Sequence, residues 1–318
     1  MQKRFDLNST ADEVLAGVDL SGRLAVVTGG AAGLGKETAR ALAARGADVI
    51  IGGRDLKLLK ATAEEISSSG TVLAHALDLL SLPSVRDFAA AVMSANRGVD
   101  LLILNAGIMA CPFARSPEGI ESQLATNFIG HACLTSALVP ALVKSTDPRL
   151  ISLSSTAHQM SPVVFSDINY VRRAYDPWEA YAQSKTATAL LALKVSQELL
   201  AKGITAHAVH PGGVMTGLLK HMNGNIAAEL SNRYKFDTSK VKVKTLAEGA
   251  ATIAWAATEP SLLKQPSLYL EDCRVAEIID IPVYTRGVMR YAMNPDTASQ
   301  LWRAAEKMIG ATLPLAPR

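Results

Sequence analysis

From residue 24 onward, short apolar runs alternate with longer amphipathic ones. The runs "LAVVTG", "DVIIGG", "VLAHAL", "VDLLILNAG", "RLISLSS" and "ITAHAVHPG" are apolar on both faces, the pattern of strands buried in a parallel sheet. Between them, helical periodicity covers residues near 34–45, 57–68, 84–97, 118–144 and 178–202. This alternation predicts βαβ units and an α/β fold with a doubly wound parallel sheet. Such sheets bind ligands at the carboxyl ends of their strands. Past residue 217 the rhythm is lost. A polar stretch, "NRYKFDTSKVKVK", precedes a predicted helix near 247–257, a last strand in "SLYLEDC" and a terminal amphipathic helix in "PDTASQLWRAAEKMIG". Ahead of the sheet, Thr10 and Glu13 have capping-box spacing, which predicts a short helix over 10–17. One domain is expected, with a helical prelude (1–22), a core (23–217) and a C-terminal lid and extension (218–318).

Composition narrows the function classes. The 318 residues are 49% hydrophobic and 19% charged, as in a globular protein, and the formal charge of +3 gives no electrostatic case for nucleic acid. Cys111, Cys133 and Cys273 are odd in number and widely spaced, which argues against a disulfide framework and structural zinc. The six histidines lack HExxH or similar spacing, so no metal is expected. The opening "MQKRFDLNSTADEVLAGVDLSGR" has no continuous apolar stretch, and no later run reaches about 18 uninterrupted apolar residues. The expectation is a cytoplasmic protein without a membrane partner. The basic run at 233–244 reads as a solvated face.

Candidate chemistry sits where the sheet ends. "VVTGGAAGLGKETARAL" places Gly29, Gly33 and Gly35 between a buried strand and a helix, so the backbone can turn tightly and approach a pyrophosphate at the helix start. This T-G-x-x-x-G-x-G spacing is a variant of the dinucleotide fingerprint of Rossmann-type folds. After the second strand, Asp55 stands near the distance for a ribose ligand and also where the next helix needs its N-cap. The cap reading is preferred. It leaves Arg54 to meet a 2′-phosphate, which points to NADP(H) as the preferred cofactor with NAD(H) possible.

"WEAYAQSKTATALLAL" sets Tyr181 four residues before Lys185, on one helix face and about 5–6 Å apart at Cβ. A free phenol ionises near pH 10, and an ammonium at close range is expected to lower that value. Tyr181 then exchanges a proton with an alcohol or a carbonyl. "RLISLSS" ends in Ser154–Ser155, either of which can hold a substrate oxygen or cap a turn. Asn127 lies inside "ESQLATNFIGHACL", where asparagine is a poor helix former. It reads either as a kink presenting a carbonyl to a water near Lys185 or as a buried hydrogen-bonding side chain.

Together, "TGGAAGLG", the acidic "LDL", "LNAG", the serine strand with "YAQSK", and "HPGGVMT" resemble the short-chain dehydrogenase/reductase family, in family order over roughly residues 20–217. "STADEVLAGVDLSGR", "FSDINY" and "YLEDCRVAE" are similar to its branch of retinol dehydrogenases and WW-domain oxidoreductases. The resemblance implies a catalytic tetrad of Asn127, Ser155, Tyr181 and Lys185, the second serine of the pair matching the family position. It implies that Asp78, with Leu79, contacts adenine and that Asn105, Ala106 and Gly107 line the cofactor. Leu34 accompanies the glycines, and Tyr181 and Lys185 also touch the nucleotide. Pro211 and Gly212 lead to Val214, whose backbone holds the carboxamide with the Thr216 hydroxyl. It further implies an alcohol dehydrogenase or carbonyl reductase acting on a small, moderately apolar alcohol or ketone. The long interval from Ser155 to Tyr181 makes 156–176 a candidate wall of the substrate site. Membrane-bound retinol enzymes begin with an apolar anchor, so a soluble substrate is expected here. A homodimer or homotetramer paired through the 118–144 and 178–202 helices is also implied. Rival readings are a catalytically silent nucleotide-binding scaffold, an extended-branch epimerase or dehydratase, whose T-G-x-x-G-x-x-G spacing is not matched, and a hydrolase, which lacks its G-x-S-x-G elbow.

Overall fold

The computed structural model describes residues 5–214 and 242–316. The alternating runs become strands β1 (Leu24–Thr28), β2 (Asp48–Gly53), β3 (Val72–Ala76), β4 (Leu101–Leu104), β5 (Arg149–Leu153) and β6 (Thr205–His210). Two short pieces, β7 (Gly213–Val214) and β8 (Val243–Lys244), pair with each other. The last predicted strand forms as β9 (Tyr269–Glu271) and turns back into an antiparallel edge strand, β10 (Arg274–Val275). The sheet order is β10-β9-β6-β5-β4-β1-β2-β3, and every pair except β10–β9 is parallel. Strand order reverses between β1 and β4, and ligand crevices open at such switch points.

Alternate residues of each strand serve opposite layers. Leu24 and Val26 pack with helices α4 (Leu82–Met93), α5 (Ser122–Leu142), α6 (Pro177–Leu199) and the terminal α8 (Pro295–Ile309). Ala25 and Val27 pack with α1 (Ala11–Val14), α2 (Gly33–Ala43), α3 (Leu56–Ile66) and α7 (Leu246–Thr258). The doubly wound expectation therefore holds, and the prelude belongs to the same core through Ala11, Val14 and Leu15. Helix α5 is long and apolar enough to cross a membrane, but 78% of its apolar window is buried inside the fold, as for a core helix.

The terminal helix covers part of the two longest helices. Residues 180–192 of α6 are buried on every face. Helix α8 packs on α6, with Lys194 Nζ 3.4 Å from Ser299 Oγ. The tail then crosses α5, where Ser136 Oγ donates to Pro314 O at 2.9 Å and Trp302 Nε1 to Leu313 O at 3.1 Å. Leu301, Trp302, Ala305 and Leu313 join the cluster that holds Leu134, Leu138, Leu190 and Leu191. The chain's own C-terminal segment thus occupies apolar surface of α5 and α6, the helices expected to pair with a second subunit.

Candidate active site

Every α-helix among the described residues except one is entered through a side-chain cap. Thr10, Asp55, Ser81, Glu121, Asp176, Thr245 and Asn294 each accept from a backbone N–H of the first turn. The exception is α2, whose N-cap is Ala32 with no side-chain bond. Its first N–H groups and positive dipole end thus face the crevice without a capping side chain, as an anion site requires. Gly29 (φ +71) and Gly33 (φ +57) adopt the left-handed region. A Cβ on Gly35 would lie 2.2 Å from Gly29 O, so only glycine lets helix and strand meet there. This cradle fits a dinucleotide pyrophosphate. Leu34 packs with Val214 against Gly249, where a Cβ would come within 2.7 Å and 2.6 Å of their methyl groups. Sequence reasoning passed over Gly249.

Asp55 is the N-cap of α3, accepting from Leu58 N at 2.9 Å, and Arg54 beside it is exposed. The preferred reading of Asp55 as a helix cap is therefore the one found. Asp78 is half-buried, and its Oδ1 accepts from Leu80 N at 3.0 Å. Leu79 is buried, and its carbonyl lies so close to Gly130 that a Cβ there would stand 2.5 Å away. At the end of β4, Asn105 Nδ2 donates to Thr28 O at 2.8 Å, while the N–H groups of Asn105 and Ala106 both reach Thr28 Oγ1, at 2.9 and 3.0 Å. Gly107 borders two members of the expected tetrad, since a Cβ on it would come 3.0 Å from Asn127 Oδ1 and 3.7 Å from Lys185 Nζ. Pro211 and Gly212 (φ +97) turn the chain after β6 into β7. Thr216 lies outside the described residues, as does most of the basic run.

The serine strand divides its hydroxyls by face. Ser152 Oγ donates to Thr188 O and Ser154 Oγ to Lys185 O, both at 2.8 Å, which clamps α6 onto β5. Ser155 is the serine that faces the phenol and hydrogen-bonds to Tyr181. Lys185 Nζ donates to Leu153 O at 2.9 Å and lies 5.7 Å from the centre of the Tyr181 ring. Both groups are nearly inaccessible, at 4% and 5% exposure. Burial raises the phenol to about 12, against the opposing pull of the Ser155 hydrogen bond, and lowers the ammonium to about 8. The expected lowering of Tyr181 by Lys185 is therefore corrected. Loss of hydration of the phenolate is the dominant effect on this buried ring.

The kink at Asn127 is a π-turn, Ala125–Ile129, in the middle of α5. Asn127 is fully buried. Its Oδ1 accepts from Ile108 N, and its Nδ2 donates to Ile108 O and to Ser184 Oγ, all at 2.8–2.9 Å. The side chain is thus the hydrogen-bonding asparagine of the plainer reading. The main-chain carbonyl, expected to face a water, is met by His131 Nδ1 at 2.9 Å. His131 escaped the sequence reading, although its i+4 spacing from Asn127 in an apolar helix was the signal available.

Around Tyr181 the surface is apolar. Ala157, Met160 and Trp178 pack on it with Met109 and Ala110, the Trp178 ring edge-on at 6.4 Å. Segment 156–176 contributes two of these residues at its start. Its later part is stapled to the 109–123 chain: Asn169 Nδ2 donates to Gly119 O, Glu121 N to Asn169 Oδ1, and Tyr175 Oη to Cys111 O. His158 lies behind the serine strand's end. It is buried, with Nδ1 against Ser155 O and Nε2 accepting from Met289 N. Among the described residues no group of three His, Cys, Asp or Glu side chains could hold a metal.

Known proteins share this arrangement of elements. Residues 23–227 match the family described as short chain dehydrogenase. A Streptomyces lividans protein described as "Probable oxidoreductase" is 40% identical over 303 residues, which is 92% of this chain and 100% of that protein. Human retinol dehydrogenase 13 is 34% identical over 305 residues, 93% of this chain and 87% of its own. A crystal structure of an uncharacterized protein from Mycobacterium Paratuberculosis superposes with a TM-score of 0.72 at 33% identity, covering 95% of this chain and 98% of that one.

Proposed function

We propose that this chain, which belongs to the short chain dehydrogenase family, moves hydride between a nicotinamide dinucleotide and a moderately apolar secondary alcohol or ketone, with Tyr181 handling the proton. Membership alone carries the coarser statement: an oxidoreductase that uses NAD or NADP and acts on small molecules. The observation that carries the finer reading is Tyr181 itself. Its phenol is hydrogen-bonded to Ser155, one helical turn from Lys185, and walled by Met109, Met160 and Trp178.

A nicotinamide dinucleotide bound there supplies the hydride donor or acceptor and, when oxidised, a positive charge. The chain's own residues do the rest. The uncapped start of α2 and its glycines receive the pyrophosphate, and Asn105–Gly107 form the floor beside it. Ser155 holds the substrate oxygen against the phenol. Tyr181 stays protonated at neutral pH and so can give its proton to a carbonyl. To take one from an alcohol it must become phenolate, which neighbouring positive charge favours. Lys185 is about half or more protonated up to pH 8 and contributes that charge. The apolar wall suits an apolar substrate and keeps water from the reacting atoms.

Exposed Arg54, with Asp55 committed to its helix, supports a preference for NADP(H). Turnover of a panel of alcohols and ketones, followed at the nicotinamide absorbance with NADPH and with NADH, tests both parts. We expect higher kcat/KM with NADPH, and Arg54→Ala should narrow the gap by about tenfold, the effect of losing one charge-assisted contact. Equal efficiency with both cofactors overturns the preference. Nucleotide binding without turnover across the panel overturns the chemistry in favour of the silent scaffold.

A further inference from the structure

His131 sits at the centre of α5, 1% exposed, and neither ring nitrogen is idle. Nδ1 lies 2.9 Å from the main-chain oxygen of Asn127, and a carbonyl only accepts, so Nδ1 carries the proton. Nε2 lies 2.9 Å from Thr28 Oγ1. The Thr28 hydroxyl already receives two N–H groups, from Asn105 and Ala106, which fill both of its lone pairs. Its own proton must be donated, and His131 Nε2 at 2.9 Å is a far better acceptor than Ile103 O at 3.4 Å. Two independent arguments thus give one tautomer, protonated on Nδ1 and accepting on Nε2. Burial, reinforced by the nearby Lys185 charge, holds the ring neutral by lowering it to about 4.

The consequence lies in what the two arms hold. The Nε2 arm ends on Thr28, the residue before Gly29, and through its hydroxyl on the Asn105–Ala106 turn. The Nδ1 arm ends on the π-turn at Asn127, whose side chain grips both backbone groups of Ile108 and the hydroxyl of Ser184, next to Lys185. We propose that His131 is a positioning residue for the reaction. One arm sets the nucleotide floor, and the other holds the Asn127 turn against Lys185. The inference rests on the hydride-transfer reading of this site.

The two arms can be separated. Asparagine at position 131 can keep a donor near the place of Nδ1 but does not reach Thr28, while leucine loses both arms. His131→Asn should retain kcat within about threefold and weaken NADPH binding about tenfold, the worth of one hydrogen bond, while Thr28→Val, which also strands the Asn105 and Ala106 N–H groups, should weaken it further. The double variant His131→Asn/Thr28→Val should bind NADPH no more weakly than Thr28→Val alone, because the link from His131 is already broken there. His131→Leu should lose about tenfold in kcat as well. NADPH affinity, read from protein fluorescence, and the Nδ1–H tautomer, read from side-chain nitrogen NMR, require no turnover. They test the link even if the proposed chemistry fails. Additive effects of His131→Asn and Thr28→Val overturn the inference. So does a kcat loss equal in His131→Asn and His131→Leu that follows a common fall in melting temperature.

Discussion

Gly107 has no Cβ where two of the side chains proposed for the reaction come close. Alanine there would press on Asn127 Oδ1 at 3.0 Å and approach Lys185 Nζ at 3.7 Å. Gly107→Ala should fold, because a side-chain tip can yield by a few tenths of an ångström, yet lose about tenfold in kcat as the pair shifts. Gly35→Ala meets backbone instead, at 2.2 Å from Gly29 O, and should abolish nucleotide affinity in a fluorescence titration. Wild-type affinity in that variant would show that the loop is not the cradle described. Single residues were legible where chemistry and spacing coincide. Tyr181, Lys185, Ser155 and the glycines could be named from the chain, and Asp55 as a cap follows from its place before an amphipathic run. Thr28 and Gly249 were not legible, because each acts through a partner distant in sequence, and His131 offered only its i+4 spacing from Asn127 while its other partner, Thr28, lies far back in the chain. The direction of the Tyr181 shift was missed for a related reason: burial, which depends on the whole fold, dominates it.

At the scale of elements, strands and helices were readable because parallel strands buried on both faces leave unbroken apolar runs. Segment 156–176 was readable as an insertion, but its attachment was not. Gln159, 3% exposed, ties down the C-terminal chain: Oε1 accepts from Val283 N and Tyr284 N, and Nε2 donates to Arg286 O and Gly287 O. Nothing in the pattern around Gln159 marks it for that task, since all four partners lie more than a hundred positions away. Gln159→Ala should leave these backbone groups unpaired and loosen the 281–289 segment. Trypsin should then cut at Arg286 well before global unfolding, whereas protection equal to wild type would show that the segment is held by other contacts. Asp55→Ala should cost about 1 kcal/mol of stability in urea unfolding, the usual worth of an N-cap, with no loss of NADPH binding. A large loss of affinity would restore the ribose-binding reading.

Across the described residues, four buried histidines are held neutral. Burial lowers His131, His158 and His207 to about 4 and His210 to about 3. Each is lower than the unfolded value of about 6.5, so the unfolded chain binds more protons between those limits. Their contribution to stability is fully present above about pH 6.5 and is lost as pH falls through about 4. Buried Glu121 and Glu271, raised by burial, act in the opposite sense at the acid end. The urea midpoint should fall steadily from pH 7 to pH 4, and a flat profile would contradict the burial of these rings. The terminal helix makes a second prediction at this scale. With the α5–α6 surface filled by residues 295–315, light scattering should show no dimer that engages Ser136, and shortening the chain before Pro295 should produce self-association. The sequence pattern marked the amphipathic helix but not its docking place, which depends on contacts with α5 and α6 far back in the chain. The central claim concerns a single phenol and is tested most directly by comparing Tyr181→Phe with the parent chain. Turnover followed at the nicotinamide absorbance should fall by about a thousandfold or more, with NADPH affinity within about threefold of the parent, since only the proton-transferring hydroxyl is removed. Turnover at the parental rate in that variant would contradict the account.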